Sequence, residues 1–488
     1  MTVEHVEARS GAYADSVTLM QVSRKAGATD GAEGVLVAMA TELNLELLRG
    51  MGFDEPAGIG PNDLFVAVRA RDDAALAQVR AVVTEAMAAR PAASGGSFTE
   101  QPPRTVSSAV RSTGPALVLI SLPGQHAFVE AMDALDAGCD VMIFSDNVPV
   151  EQEVRLKEVA ATRDLLVLGP DCGTAVVGGI GLGFAHTVEP GPIGLVAASG
   201  TGAQQILCLL DAAGTGVSAA LGVGGRDLSA EVGGRSTRAA LAALDSDPAT
   251  ELIVVISKPP AEEVADELRV YAETLSTPVH FALIGAGRPD LTACAEDALA
   301  AIGTGVPRWQ HWPGPQAQPR AGALRGLFAG GTLCDEAMVI ASERFGEIAS
   351  NTPLRPDWRL DPRAPASGHA MIDFGDDELT AGRPHPMIDQ SLRLDRFAKE
   401  ALDPNTAVIL LDVVLGHGAH PDPAAELAPA ITAARESGDV AVVVSMIGAK
   451  GDPQDLTAQA CALNEAGAHV FTSNAQAARF ACDLIASR

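Results

Sequence analysis

A set of short apolar runs that do not alternate with polar residues constrains this chain most. ALVLISL (116–122), DVMIFS (140–145), LLVLGP (165–170), IGLVAAS (193–199), ELIVVISK (251–258) and VHFALIGAG (279–287) come first. After a gap follow AVILLDVVLG (407–416), VAVVVSMIG (440–448) and HVFTSN (469–474). A strand that is apolar at every position must be covered on both faces, and amphipathic helical stretches separate these runs. Parallel, doubly wound sheets of an α/β protein satisfy both conditions.

The chain has 488 residues, 47% of them hydrophobic, enough for several cores. Two stretches rich in Pro, Gly and Ser read as joints: RPAASGGSFTEQPPRT (90–105) and GVPRWQHWPGPQAQPRAG (305–322). We therefore expect a small N-terminal α+β module over 1–104, of ferredoxin-like type. In it DSVTLMQVSRKA, GVLVAMAT and LFVAVRA read as strands and DAALAQVRAVVTEAMAAR as a helix. The central block splits near residue 190 into units over 105–190 and 191–305, and a last unit spans 320–488.

Asp plus Glu is 62 and Lys plus Arg is 34, so the net charge is −28. No basic stripe is available for nucleic acid, and the acidity serves solubility. The first residues lack a basic start with an apolar core, and no run is long enough to span a membrane, so a cytoplasmic protein is expected. The seven cysteines lie singly with no CxxC pair, which reads as reduced, buried thiols and argues against a metal site.

The run IGLVAASGTGAQQILCLL (193–210) reads as strand, tight turn and helix, with Ser199, Gly200, Thr201 and Gly202 at the helix start. Bare N–H groups at a helix N-terminus suit an anion. It is not a GxGxxG turn, and no acidic residue ends a following strand to hold a ribose, which argues against NAD.

The central block resembles the α subunit of succinyl-CoA synthetase through AMDALDAGCDVMIFSDNVP, LLVLGPDCGTAV, GPIGLVAASGTGAQQI, LGVGGRD, DSDPATELIVVISKPP and TPVHFALIGAG. The C-terminal block resembles the CoA-ligase domain of the partner β subunit through MIDFGD, AVILLDVVLG and VAVVVSMIG. The fused arrangement, with GVGGRD, GRPHPMID and GAHPDP, resembles the FdrA family of acyl-CoA synthetase-like proteins. The resemblance implies a Rossmann-like CoA-binding-type domain over 105–190 and flavodoxin-like domains over 191–305 and 320–488. It also implies that Ser199, Gly200, Thr201 and Gly202 bind phosphate.

Where the synthetase carries its phosphorylated histidine, this chain has Gly285-Ala286-Gly287-Arg288. There is no room for the nucleotide-binding ATP-grasp domain, and the Gly-Phe-Thr-Gly loop that opens the CoA site is absent from the first hundred residues, which counts against CoA. The second phosphate-facing turn corresponds to Gly375-Asp376-Asp377-Glu378, whose charge repels phosphate. Just beyond it, Arg383 and His385 precede Pro386, which suits a first helical position, so a replacement anion site is expected there.

Arg226 in GVGGRD and Lys258 at a strand end are further candidates, each weighed evenly against an ordinary surface or strand-terminal role. His417 and His420 follow a strand and are alternatives to His385 as proton donor. The FdrA resemblance implies an oxamate carbamoyltransferase: phosphate cleaves oxalurate to oxamate and carbamoyl phosphate in allantoin degradation. Substrates are then inorganic phosphate or carbamoyl phosphate and an acyl or carbamoyl compound, with further protein subunits and a homo-oligomer as partners. The alternatives are an acyl-CoA ligase component served by a separate nucleotide-binding subunit, and a non-catalytic scaffold.

Overall fold

The computed structural model describes residues 2–486 except 11, 13, 15, 57, 61–62, 89–102, 317, 381–382 and 439. The chain forms two units, residues 1–104 with 377–384, and residues 105–376 with 385–488. Most of the first expected joint, 90–105, lies outside the described residues.

In the first unit, Val3–Arg9, Leu64–Ala70 and Ala32–Met39 form an antiparallel sheet in that order. Alternate residues of its central strand feed two clusters, as the period of a strand demands. Leu64, Val66 and Val68 pack with helices Ser16–Gly27 and Asp73–Ala88, while Phe65 and Ala67 pack with Leu45 and Leu48 of helix Glu42–Gly50. The segment DSVTLMQVSRKA, expected as a strand, is therefore helical. Its buried Leu19, Val22 and Ala26 recur a helical turn apart, a spacing that a strand would split between two faces.

The second unit holds the parallel sheets. A short one orders Val118–Ile120, Val141–Ile143 and Val167–Leu168. A six-stranded sheet orders Val279–Leu283, Leu252–Ser257, Pro190–Ala198, Val217–Gly222, Thr174–Val177 and Ile180–Gly183, the last two forming an antiparallel hairpin. This sheet thus begins at Thr174, ahead of residue 190. A seven-stranded sheet orders His311–Trp312, His469–Phe471, Ala441–Ile447, Thr406–Val414, Ala323–Phe328, Ala370–Asp373 and Ala349–Ser350. All of its pairings are parallel except that of His311–Trp312. Part of the second expected joint is packed structure: His311–Trp312 is an edge strand, and Trp309 is buried with its indole N–H on Glu296.

One continuous core joins the two large sheets, drawing Leu195, Ile206 and Ile256 from one and Leu333, Met338 and Leu410 from the other. Helix Gly200–Ala212 lies inside it, buried at every residue from Thr201 to Leu210. Its buried Gln204 and Gln205 donate to the Phe184 and Thr472 carbonyls, which lets a helix with polar side chains lie in such an interior. Among the described residues no helix is long and apolar enough to cross a membrane.

Candidate anion site between two helix N-termini

Strand Pro190–Ala198 runs into Ser199, which caps helix Gly200–Ala212 by accepting the Gly202 N–H at 2.9 Å. A Cβ on Gly202 would lie 2.3 Å from Ser199 Oγ, so the cap requires glycine there. Strand Ala323–Phe328 runs likewise through Gly330 into helix Gly331–Phe345. That turn is pinned from the neighbouring strand: the buried Asp412 carboxylate accepts from the N–H groups of Ala329 (2.7 Å) and Gly330 (2.8 Å). Arg393 in turn donates to Asp412 at 2.8 Å.

The two helix starts meet. Ser199 Oγ and Thr332 Oγ1 are 2.7 Å apart, and a Cβ on Gly330 would lie 2.7 Å from Thr201 Cγ2. Among the described residues, the N–H groups of Gly200, Thr201, Gly331 and Thr332 have no acceptor. Two positive dipole ends therefore converge with open donors. The helix start opposite Ser199 is thus Gly330–Thr332, neither the 375–378 turn that the resemblance put in that position nor a helix start at Arg383 and His385. Asp373 ends its strand just before that turn, and only a four-residue helix, Asp377–Thr380, follows.

Lys258, just past strand Leu252–Ser257, reaches this place: its Nζ is 3.0 Å from where a Cβ on Gly331 would sit. Asp373 Oδ2 is 2.6 Å from the same point. Among the described residues no group lies within ion-pair or hydrogen-bonding distance of the Lys258 ammonium. Burial works against that charge, yet Asp335, Asp373 and Asp171 outweigh it and raise the Lys258 pKa. Burial lifts Asp335 to about 6 and Asp373 to about 7, with Lys258 opposing both shifts. Asp373 Oδ1 also accepts the Gly375 N–H at 2.9 Å.

His385 flanks this group. A Cβ on Gly375 would lie 2.8 Å from His385 Nε2 and 3.2 Å from Asp373 Oδ1. Its Nδ1 accepts the Met387 N–H at 3.2 Å, which leaves Nε2 on the Asp373 side. Burial, helped by Arg393, lowers its pKa to about 4, so the ring is neutral at physiological pH. No helix starts at Pro386. Residues 386–388 form a turn closed onto the His385 carbonyl, and the helix begins at Ser391.

The other expected site residues find partners elsewhere. Arg226 donates to the Val148 carbonyl at 2.8 Å and pairs with buried Glu153 at 3.0 Å, so its charge is committed to a structural contact. His417 bonds Thr187 Oγ1 at 3.1 Å. Buried His420 lies 2.9 Å from Glu426 and accepts the Asp422 N–H, which ties it to the start of helix Pro423–Ser437. Arg383 is exposed in the other unit, its N–H on the Thr380 carbonyl. At the loop after Val279–Leu283, Arg288 donates to Glu262 through two contacts.

Sequence reasoning missed Gly330, Gly331, Thr332, Asp335, Asp373 and Asp412. A signal existed for the first three: Ala329-Gly330-Gly331-Thr332 repeats Ala198-Ser199-Gly200-Thr201 with one change, each after an apolar strand.

With this geometry in hand, the comparisons are specific. The uncharacterized protein YahF of Escherichia coli (strain K12) is 36% identical over 501 residues, covering 97% of each chain. The chain belongs to the YahF family. Residues 327–484 match the CoA-ligase family model, and residues 1–103 match the model for AllF, heavy metal-associated domain. The succinate–CoA ligase α subunit of Aquifex aeolicus is 28% identical over 191 residues, which are 38% of this chain and 61% of that subunit. The malate–CoA ligase α subunit of Methylorubrum extorquens is 27% identical over 183 residues, 36% of this chain and 60% of that one. This YahF family member thus spans about 60% of the ligase α subunits it matches. Among solved structures, a dinucleotide-forming acetyl-coenzyme A synthetase 1 of Ca. Korarchaeum cryptofilum aligns over 82% of this chain and 90% of its own, at 15% identity and TM-score 0.30.

The heavy-metal label of the N-terminal match does not fit the residues present. Residues 1–103 contain no cysteine and one histidine, His5, whose Nε2 is 3.2 Å from Glu7. Soft metals need thiolate or clustered imidazole ligands, and this donor set supplies neither.

Proposed function

We propose that this YahF family member carries out the acyl-phosphate half of ligase chemistry, transferring an acyl group between phosphate and an acceptor. The observation that carries this is the pair of opposed helix N-termini with the unpartnered Lys258 ammonium beside them. Open N–H donors, two dipoles and a buried cation suit a tetrahedral dianion. Held there, the phosphate or the phosphoryl end of an acyl phosphate is oriented against the acyl carbon, and its charge is countered by Lys258. In the ligase form of this reading, CoA accepts the acyl group and a separate nucleotide-binding subunit supplies the phosphoryl group.

A second reading, carbamoyl transfer, is favoured by the loop 285–288, which offers Arg288 tied to Glu262 where the synthetase family has its phosphohistidine. Without a relay, chemistry that stops at the acyl phosphate is complete in itself, and phosphorolysis of oxalurate to oxamate and carbamoyl phosphate is of that kind. The fused arrangement resembling FdrA and the AllF description of residues 1–103 support it.

Thermal unfolding of the purified chain with inorganic phosphate, carbamoyl phosphate or CoA tests the site: the phosphates should raise the melting temperature by mass action. No protection by either phosphate would refute the anion site. Incubation with carbamoyl phosphate and oxamate, or with an acyl phosphate and CoA, each with and without partner subunits, separates the two readings by product.

A further inference from the structure

We propose that Asp373 is the acid of this site, holding a proton beside the bound anion and delivering it to a leaving nitrogen. The inference rests on the anion-site reading above and adds the class of bond that is cleaved. Asp373 ends strand Ala370–Asp373, and its neighbours fix it from every side. Its N–H donates to Asn351 Oδ1, its carbonyl accepts from Asn351 Nδ2, and its Oδ1 takes the Gly375 N–H, each at 2.9 Å. Oδ2 is left facing the first residue of helix Gly331–Phe345. One point, the empty Cβ position of Gly331, lies 2.6 Å from Oδ2 and 3.0 Å from Lys258 Nζ, yet the two close no ion pair. A carboxyl and an ammonium thus flank the helix start side by side, coupled through space but without an ion-pair contact.

Five charged or titratable groups bear on Asp373, and one of them, Cys334 on the same helix as Asp335, is held as a neutral thiol by burial. Lys258 at its strand end favours the carboxylate, while Asp335 on the helix and Asp376 after the strand favour the acid, as does burial. His385 adds no charge, because burial keeps its ring neutral. A phosphate placed at the two helix starts adds a further negative charge and drives Asp373 toward its protonated form. His385 cannot serve as the acid near neutral pH, and Asp335 sits a turn deeper along the helix.

The step balances. A phosphate oxygen forms a bond to the acyl carbon, the C–N bond breaks with its electron pair going to nitrogen, and the Asp373 proton goes to that nitrogen. The proton that hydrogen phosphate carried in replaces it on Asp373, giving acyl phosphate and a neutral amine or amide. A thiolate leaves without needing a proton, so an acid in this position selects nitrogen leaving groups.

Titration calorimetry with sulfate, which does not itself titrate near neutrality, tests this on the full chain in buffers of different ionisation enthalpy. Near pH 8 the wild type should take up close to one proton per sulfate bound, and its affinity should fall about tenfold per pH unit above the Asp373 pKa. Asp373→Asn should bind sulfate with no proton uptake, while Asp335→Asn retains it. Sulfate binding by the wild type without proton uptake, or uptake undiminished in Asp373→Asn, overturns the role of Asp373 and leaves the anion site standing. No binding of sulfate or phosphate by the wild type overturns both. Because the wild-type pH series stands alone, a misfolded variant does not rescue the proposal.

Discussion

Replacing Asp373 by Asn should make the protein more stable at pH 8. A buried carboxyl with a pKa of about 7, against an ordinary value of 3.8, is easier to protonate in the folded chain than in the unfolded one. Its raised pKa therefore favours folding below about pH 4, and that contribution is lost as pH rises through about 7. At 1.36 kcal/mol per pKa unit, the gap amounts to about 4 kcal/mol of destabilisation above pH 7. Asn keeps the acceptor for the Gly375 N–H and removes the charge, and the attraction of Lys258 is already contained in that gap. The net gain at pH 8 should therefore approach about 4 kcal/mol, shrinking to nothing near pH 4. All three tryptophans, Trp309, Trp312 and Trp358, lie in the unit that holds the site. Denaturant unfolding followed by tryptophan fluorescence from pH 4 to pH 8 therefore reads this unit alone. A difference from wild type that does not vary with pH, or a loss of stability at pH 8, refutes the electrostatic account of Asp373.

Three other variants separate the site from its support. Gly331→Ala places a methyl group 2.6 Å from Asp373 Oδ2 and 3.0 Å from Lys258 Nζ, and should abolish thermal protection by phosphate with far-UV circular dichroism unchanged. Asp412→Ala strands the N–H groups of Ala329 and Gly330 and the buried Arg393, and should cost about 3–5 kcal/mol in the same unfolding assay. Arg226→Ala loses a half-exposed guanidinium on Glu153 and should cost about 1 kcal/mol while leaving phosphate protection at the wild-type level.

Local pattern was enough for the parallel sheets, because a strand buried on both faces is written as a continuous apolar run, as in Leu252–Ser257 and Val443–Ile447. It was enough for the strand, turn and helix start at Ser199–Gly202 too, where a capping Ser and small residues follow such a run. It failed where a property depends on partners distant in the chain. Arg226 and His420 sit after strands like site residues, but Glu153 and Glu426 engage them, and no spacing in the sequence announces those pairs. Lys258 follows a strand of one sheet, while Asp335 lies on helix Gly331–Phe345 and Asp373 on a strand of the other, so they converge only when the two domains pack. The stretch 305–322 has a linker's composition, yet Trp309 found a place in the core and His311–Trp312 a strand to pair with. In the N-terminal module the helical spacing of Leu19, Val22 and Ala26 was present in the segment expected as a strand, but it spans too few residues to be told from a strand without its packing partners.

The distance along the chain between the two halves of the site has a consequence during synthesis. Ser199 and Thr332 touch although 133 residues separate them. At about 5–20 residues per second, a ribosome exposes helix Gly200–Ala212 roughly 7–27 s before its partner helix exists. For that interval a helix built to be buried on every face has cover from one sheet only, and its other side is open to whatever hydrophobic surface is nearby. Because both halves lie in one chain, that exposure is a fixed wait, and every nascent first half is followed by its own second half.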